Sequence, residues 1–221
     1  MSTLPTSVRF TEEMKGHVGL EETDFRRGAE QGRADGTFLM FHLTIEVPDI
    51  DAFHLDPMRR GTCQGWVGCE VLGGKLAVEL GEFNLFVDQE DSSNKRMRYR
   101  LWFRDGAGHP LTLTGFKVVQ DHAGFDVWTD TSTLYTRVLR GHLDAEDAFP
   151  DMLSPDAAPP TGPAGDIVAS GVITIWKRDF LRQLTTFRAS GPSWRARLSA
   201  VGAFGAVFVR QLGQVYLRRA A

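Results

Sequence analysis

KRMRYRLWFR, residues 95–104, sets apolar Met97, Tyr99, Leu101 and Phe103 alternately against Arg96, Arg98, Arg100 and Arg104. Period-two alternation marks an extended strand with one buried face, here with a cationic opposite face broken only by Trp102. Residues 38–47 repeat the pattern, with Leu39, Phe41, Leu43, Ile45 and Val47 on one side and Phe38, Met40, His42, Thr44 and Glu46 on the other. Residues 82–88 alternate through Phe83, Leu85 and Val87. In residues 111–118 the phase of Leu111 and Leu113 changes at Gly115, so that Phe116 and Val118 become the apolar set. A glycine at such a change predicts a β-bulge. Further strands are expected over residues 8–18, 61–72, 75–80 and 167–176. Gly73-Gly74 predicts a two-residue hairpin, and Asp105-Gly106 ends another strand. Residues 130–141 read as a strand in preference to a helix capped by Asp130 and stopped by Gly141.

About eight to nine strands with short links argue for a mainly β fold, an antiparallel barrel or sandwich followed by C-terminal helices. The organisation follows composition. Residues 1–149 form a β body, and residues 150–166, with five of the ten prolines, form a linker. Residues 167–188 supply a final strand and a short helix that complete the body, with Asp179 as helix N-cap and Phe180, Leu181, Leu184 and Phe187 as its apolar stripe. Residues 194–218 form a last helix.

That last helix is unusual. Trp194, Leu198, Val201, Phe204, Phe208, Leu212 and Val215 follow a helical stripe, but the opposite side is also apolar and small, with arginines at both ends. Such a helix packs on protein, lies in a membrane interface with its arginines snorkelling, or self-associates through Gly202 and Ala206. The interface reading assigns membrane contact to Trp194, Arg195, Arg197, Phe204, Phe208 and Arg210. Its uncharged run, residues 198–209, is too short to span a bilayer, which needs about 20 residues.

Charge is lopsided. The net charge of −3 divides into −8 over residues 1–150 and +5 over residues 151–221. A basic end suits an anionic surface or the acidic body of the same molecule. No apolar leader precedes the first strand, so a cytoplasmic chain, peripheral on a membrane, is expected. Cys63 and Cys69 are six residues apart and read as reduced core residues.

Catalytic signatures are missing from the sequence: G-x-S-x-G, G-x-G-x-x-G, the P-loop, H-E-x-x-H and paired C-x-x-C. No cofactor and no metal is expected, and nucleic acid is not an expected partner, because only Trp102 interrupts the arginine row. Asp121, His122, Asp126 and Asp130 form either a carboxylate–imidazole group or an exposed turn, and the turn composition favours the latter. Lys117 follows the Gly115 phase change. It is either an outward lysine on an edge strand or an inward ammonium that anchors a ligand. His42 faces solvent or a cavity. With an apolar interior, the ligand-binding set is Lys117, Phe116, Trp128, Tyr135, Tyr99 and His42.

Several phrases carry a resemblance when taken together: FTEEMKG (10–16), GEFNLF (81–86), RMRY (96–99), LTGFK (113–117), WTDTSTLY (128–135) and DFLRQL (179–184). They resemble a bacterial module found beside, or fused to, cholesterol-oxidase-like glucose–methanol–choline oxidoreductases. The resemblance covers roughly residues 8–188 and implies a sterol or lipid setting, without the flavin chemistry, whose dinucleotide fingerprint this chain lacks. A lipocalin-like barrel is the structural analogy for lipid binding, although Gly65-Trp66 falls one residue short of the Gly-x-Trp signature. The expected function is a non-catalytic lipid- or sterol-binding accessory protein associated with lipid or sterol oxidation. Alternatives are an enzyme acting on a hydrophobic substrate, or a structural partner of a separate oxidoreductase. Expected partners are a lipid or sterol ligand, an anionic membrane surface and an oxidoreductase.

Overall fold

The computed structural model describes residues 5–88, 94–120, 132–144 and 166–195, together with 199 and 202. The chain is mainly β: an eight-stranded antiparallel closed barrel with one extra strand and few helices. The barrel strands are β1 (Ser7–Leu20), β2 (Phe38–Val47), β3 (Arg60–Cys69), β4 (Gly74–Asp88), β5 (Asn94–Arg104), β6 (Pro110–Gln120), β7 (Thr133–Arg140) and β8 (Ile167–Thr174). Each pairs with its neighbour in sequence, and β1 closes the barrel by pairing with both β2 and β8. The extra strand, β9 (Arg188–Ser190), pairs with the first residues of β1. Among the described residues three helices accompany the strands: α1 (Phe25–Asp35), α2 (Ile50–Leu55) and α3 (Lys177–Leu184).

The alternating sequences place the core. Leu39, Phe41, Leu43, Ile45 and Val47 on β2 face inward with no exposure, as do Met97, Tyr99, Leu101 and Phe103 on β5, all nearly so. Burying each large apolar side chain stabilises the fold by about 1.5–3 kcal/mol relative to exposure. Eight strands make a barrel just wide enough for side chains to fill.

Strand β6 differs from its predicted shape. It runs in unbroken register with β5, pairing Met97 with Lys117, Tyr99 with Gly115, Leu101 with Leu113 and Phe103 with Leu111. There is no bulge at Gly115; its missing side chain makes room for Leu134, which an added Cβ would approach to 2.8 Å. Phe116 and Val118 are apolar because they form an outer face beneath α1, clustered with Phe25, Tyr135 and Val172. Register shifts occur instead between Thr62 and Trp66, Val78 and Leu80, Asn84 and Val87, and Val138 and Leu139. Two expected strands, 75–80 and 82–88, are one continuous β4 that absorbs such shifts.

Other boundaries move for local reasons. The connection between β3 and β4 is a 3-10 turn, Glu70–Leu72, ending in Gly73 and Gly74, both at positive φ, rather than a two-residue hairpin. Helix α3 begins at Lys177 after Trp176, so Asp179 is not its cap; the Asp179 carboxylate is 3.1 Å from Lys15 Nζ. The stripe expected on α3 is split, since Phe180 and Phe187 pack on the core while Leu181 points outward. Helices α1 and α2 precede the region where helix was expected, capped by Asp24 and Asp49. The row Arg96, Arg98, Arg100 and Arg104 lies opposite the core as expected, but Arg96 and Arg100 are buried. Arg100 binds Glu82 and the Leu143 carbonyl, because the chain after β7 folds back over β5. Cys63 and Cys69 are free and buried. Residues 150–165 lie outside the described residues; of the last helix, 194, 195, 199 and 202 are described, and all four are helical.

Candidate functional site

On β1 the even-numbered residues Val8, Phe10, Glu12 and Met14 face the interior, so the strand delivers one carboxylate into an apolar wall. From β5 comes Tyr99, whose hydroxyl donates to Glu12 Oε1 at 2.8 Å. From β6 comes Lys117, whose Nζ donates to the same oxygen at 3.3 Å and sits 5.2 Å from the centre of the Tyr99 ring. From α3 comes Gln183, whose Nε2 donates to Glu12 Oε2 at 3.3 Å. Glu12, Tyr99 and Lys117 are 4 %, 1 % and 1 % exposed. A buried carboxylate is tolerated only when paired and hydrogen-bonded, and this one has an ammonium and two neutral donors.

Electrostatics follow burial. Loss of water pushes the Lys117 ammonium below the ordinary lysine value, and the Glu12 charge opposes but does not cancel this. Burial raises Tyr99 well above the usual phenol range, reinforced by the Glu12 charge. Cys63 is raised for the same reasons, burial first. Neither Tyr99 nor Cys63 is therefore activated as a nucleophile.

The wall beside Glu12 is not continuous sheet. β1 pairs with β9 through residues 7–9 and with β8 through residues 15–20. Between those stretches α3 and the turn after it stand in for a strand. Thr11 N donates to Thr186 Oγ1 at 2.9 Å, and Phe10 stacks on Phe187 with ring centres 4.7 Å apart. Outside, Lys15 joins Glu13 and Asp179, and Glu13 also meets His42 Nδ1 at 3.1 Å. Burial would raise Glu13, but hydrogen bonds from Lys15 and His42, with their charges, hold it below the usual carboxylate value.

The predicted ligand-binding residues separate into three groups. Lys117 and Tyr99 meet inside the barrel. Phe116 and Tyr135 do not: they stack on each other on the outer face, covered by Phe25 of α1. His42 is also outside, stacked on Trp66 and half-exposed. Trp128, with Asp121, His122, Asp126 and Asp130, lies outside the described residues. Of the membrane-contact set, Trp194 and Arg195 are exposed, and Arg197, Phe204, Phe208 and Arg210 lie outside the described residues. Glu12 was legible and missed, since it occupies an apolar phase of its strand; Gln183 left no signal in the pattern of α3.

Two further features lie on the outer surface of the described residues. A cleft of about 260 Å³ opens on the outer face of β2 and β3, lined by Phe38, Met40, Trp66 and Lys75 among others. Leu55, at the end of α2, and Trp176, Leu181 and Trp194, in the segments after β8 and β9, are 85 %, 47 %, 65 % and 61 % exposed. Arg178, Arg182, Arg188 and Arg195, in the same stretch of chain as the last three, are exposed. Among the described residues no group of side chains could hold a metal ion, and no helix is long and apolar enough to cross a membrane. Comparison with known protein families, with characterised proteins and with solved structures gave no match.

Proposed function

We propose that this chain is a non-catalytic accessory protein that binds lipid and serves a lipid- or sterol-oxidising enzyme at the cytoplasmic face of a membrane. The observation that carries the reading is the segment from Trp176 to Arg195. Trp176, Leu181 and Trp194 are exposed in it, interspersed with exposed Arg178, Arg182, Arg188 and Arg195, and large apolar side chains held in water mark a contact surface. Tryptophan and arginine together suit the headgroup layer, and each nearby base contributes about 1 kcal/mol toward anionic lipid. The segment that follows Trp194 adds apolar residues flanked by Arg197 and Arg210. Free buried cysteines suit a reducing compartment. The oxidoreductase setting rests on the resemblance of the phrases between residues 10 and 184.

Flotation with vesicles containing one third phosphatidylglycerol tests the reading. The full chain is expected to float with them, less so as salt rises, since part of the attraction is screened. Leu181→Asp with Trp194→Asp is expected to remain folded, because both side chains are exposed, and to abolish flotation. Equal recovery of wild type and variant in the unbound fraction overturns the proposal.

A further inference from the structure

We propose that Glu12, Lys117 and Gln183 form a binding site for the hydroxyl group of an amphipathic alcohol, admitted to the barrel beneath α3. The argument is one of unmet hydrogen-bonding capacity. A carboxylate only accepts, so Gln183 must turn its amide nitrogen toward Glu12, as it does at 3.3 Å. That orientation leaves Gln183 Oε1 buried with no partner. Lys117 carries three N–H donors and, among the described residues, gives one to Glu12 and otherwise lies over the Tyr99 ring. The cluster therefore has a spare acceptor on Gln183 and a spare donor on Lys117, both on groups anchored to the same carboxylate. A hydroxyl is both donor and acceptor and satisfies both. An ether lacks the proton for Gln183; a carboxylate lacks it too and brings a second negative charge beside Glu12.

The rest of the ligand is apolar by the same reasoning. Phe10, on the same face of β1 as Glu12, stacks on Phe187, and Phe180 packs on the core. Access is lateral because, among the described residues, α3 and the turn after it are held to β1 through side chains: Gln183 to Glu12, Asp179 to Lys15 and Thr186 to Thr11 N. The tail runs between α3 and β1, past Phe10 and Phe187, with Gln183 kept at Glu12. This inference rests on the proposed lipid function only for how the alcohol arrives.

Calorimetric titration with 1-decanol, its methyl ether and decanoate, without vesicles, tests it. The full chain is expected to bind the alcohol at least fivefold more tightly than either analogue. Gln183→Met keeps side-chain length on a surface helix and is expected to make alcohol and ether bind equally. Thr11→Cys with Thr186→Cys places a disulfide across the β1–α3 contact, Cys63 and Cys69 being buried. Oxidation is expected to slow alcohol binding at least tenfold, and reduction to restore it. Absent or equal binding of the three compounds by wild type, as for a site that holds only a buried water, overturns the inference. So does a preference that survives in Gln183→Met, or unslowed binding to the locked protein. The wild-type comparison stands by itself if a variant fails to fold. Loss of vesicle flotation with the alcohol preference intact overturns the surface reading alone.

Discussion

Glu12 and Lys117 are ionisable, almost wholly buried and paired with each other. Desolvation of such a pair consumes most of its attraction, yet removing one partner strands the other. Lys117→Met is therefore expected to cost about 3–5 kcal/mol in urea unfolding. Glu12→Gln with Lys117→Met removes both charges, keeps an acceptor for Tyr99, and is expected to recover most of that loss; a double variant as unstable as the single one would show that the pair is not the reason. Outside the wall, Glu13 titrates below its ordinary value. A carboxylate lowered on folding stabilises the protein fully above the unfolded value of 4.5 and loses that contribution as pH falls through the folded value. The thermal midpoint is expected to drop as pH falls below 4.5, and to drop less in Glu13→Gln. These residues also show what the sequence could reveal. Alternation puts Lys117 in phase with Leu111 and Leu113 and Glu12 in phase with Phe10 and Met14, so both inward positions were legible. Phe116 and Tyr135 were misplaced because alternation separates two faces without saying which is enclosed.

Helix α1 explains why that second face was apolar. It lies across β1, β7 and β8 and contributes Phe25, over which the Arg137 guanidinium sits at 4.3 Å. The segment FRRGAEQGRAD has no apolar stripe, so helical periodicity could not reveal it. Its packing face is made of Gly28 and Gly32, which let backbone meet backbone: added Cβ atoms would fall 2.1 Å from Ser170 O and 2.3 Å from Val18 O. The cap signals at Asp24 and Gly36 were present, and α2, at six residues, is too short to show a period. Gly28→Ala is expected to push α1 off the sheet and cost about 1–3 kcal/mol, as overpacking does. A variant with unchanged urea midpoint and no gain in binding of an apolar dye would place the helix elsewhere.

At the scale of the whole molecule, one closed barrel is assembled from neighbours in sequence, with a single long-range closure. β1 is joined to β8 by only six residue pairs and to β9 by three, whereas β5 and β6 share eleven. Sheet stability grows with the ladder, and regions held by few backbone hydrogen bonds open locally at a fraction of the global free energy. The seam also has the sole helical stand-in among the described wall segments, and α3 is bound there through Lys15, Thr11 and Glu12 rather than through a strand. Hydrogen exchange is therefore expected to divide the chain. Amides of β2 to β6 should exchange only by global unfolding, and those of α3 and β9 by an opening that costs far less. Bound 1-decanol should slow exchange in α3 while leaving β2 to β6 unchanged, because it adds contacts to the side that opens. Equal protection of α3 and the central strands would mean that the barrel opens only as a whole, and Glu12 would then be sealed on every side.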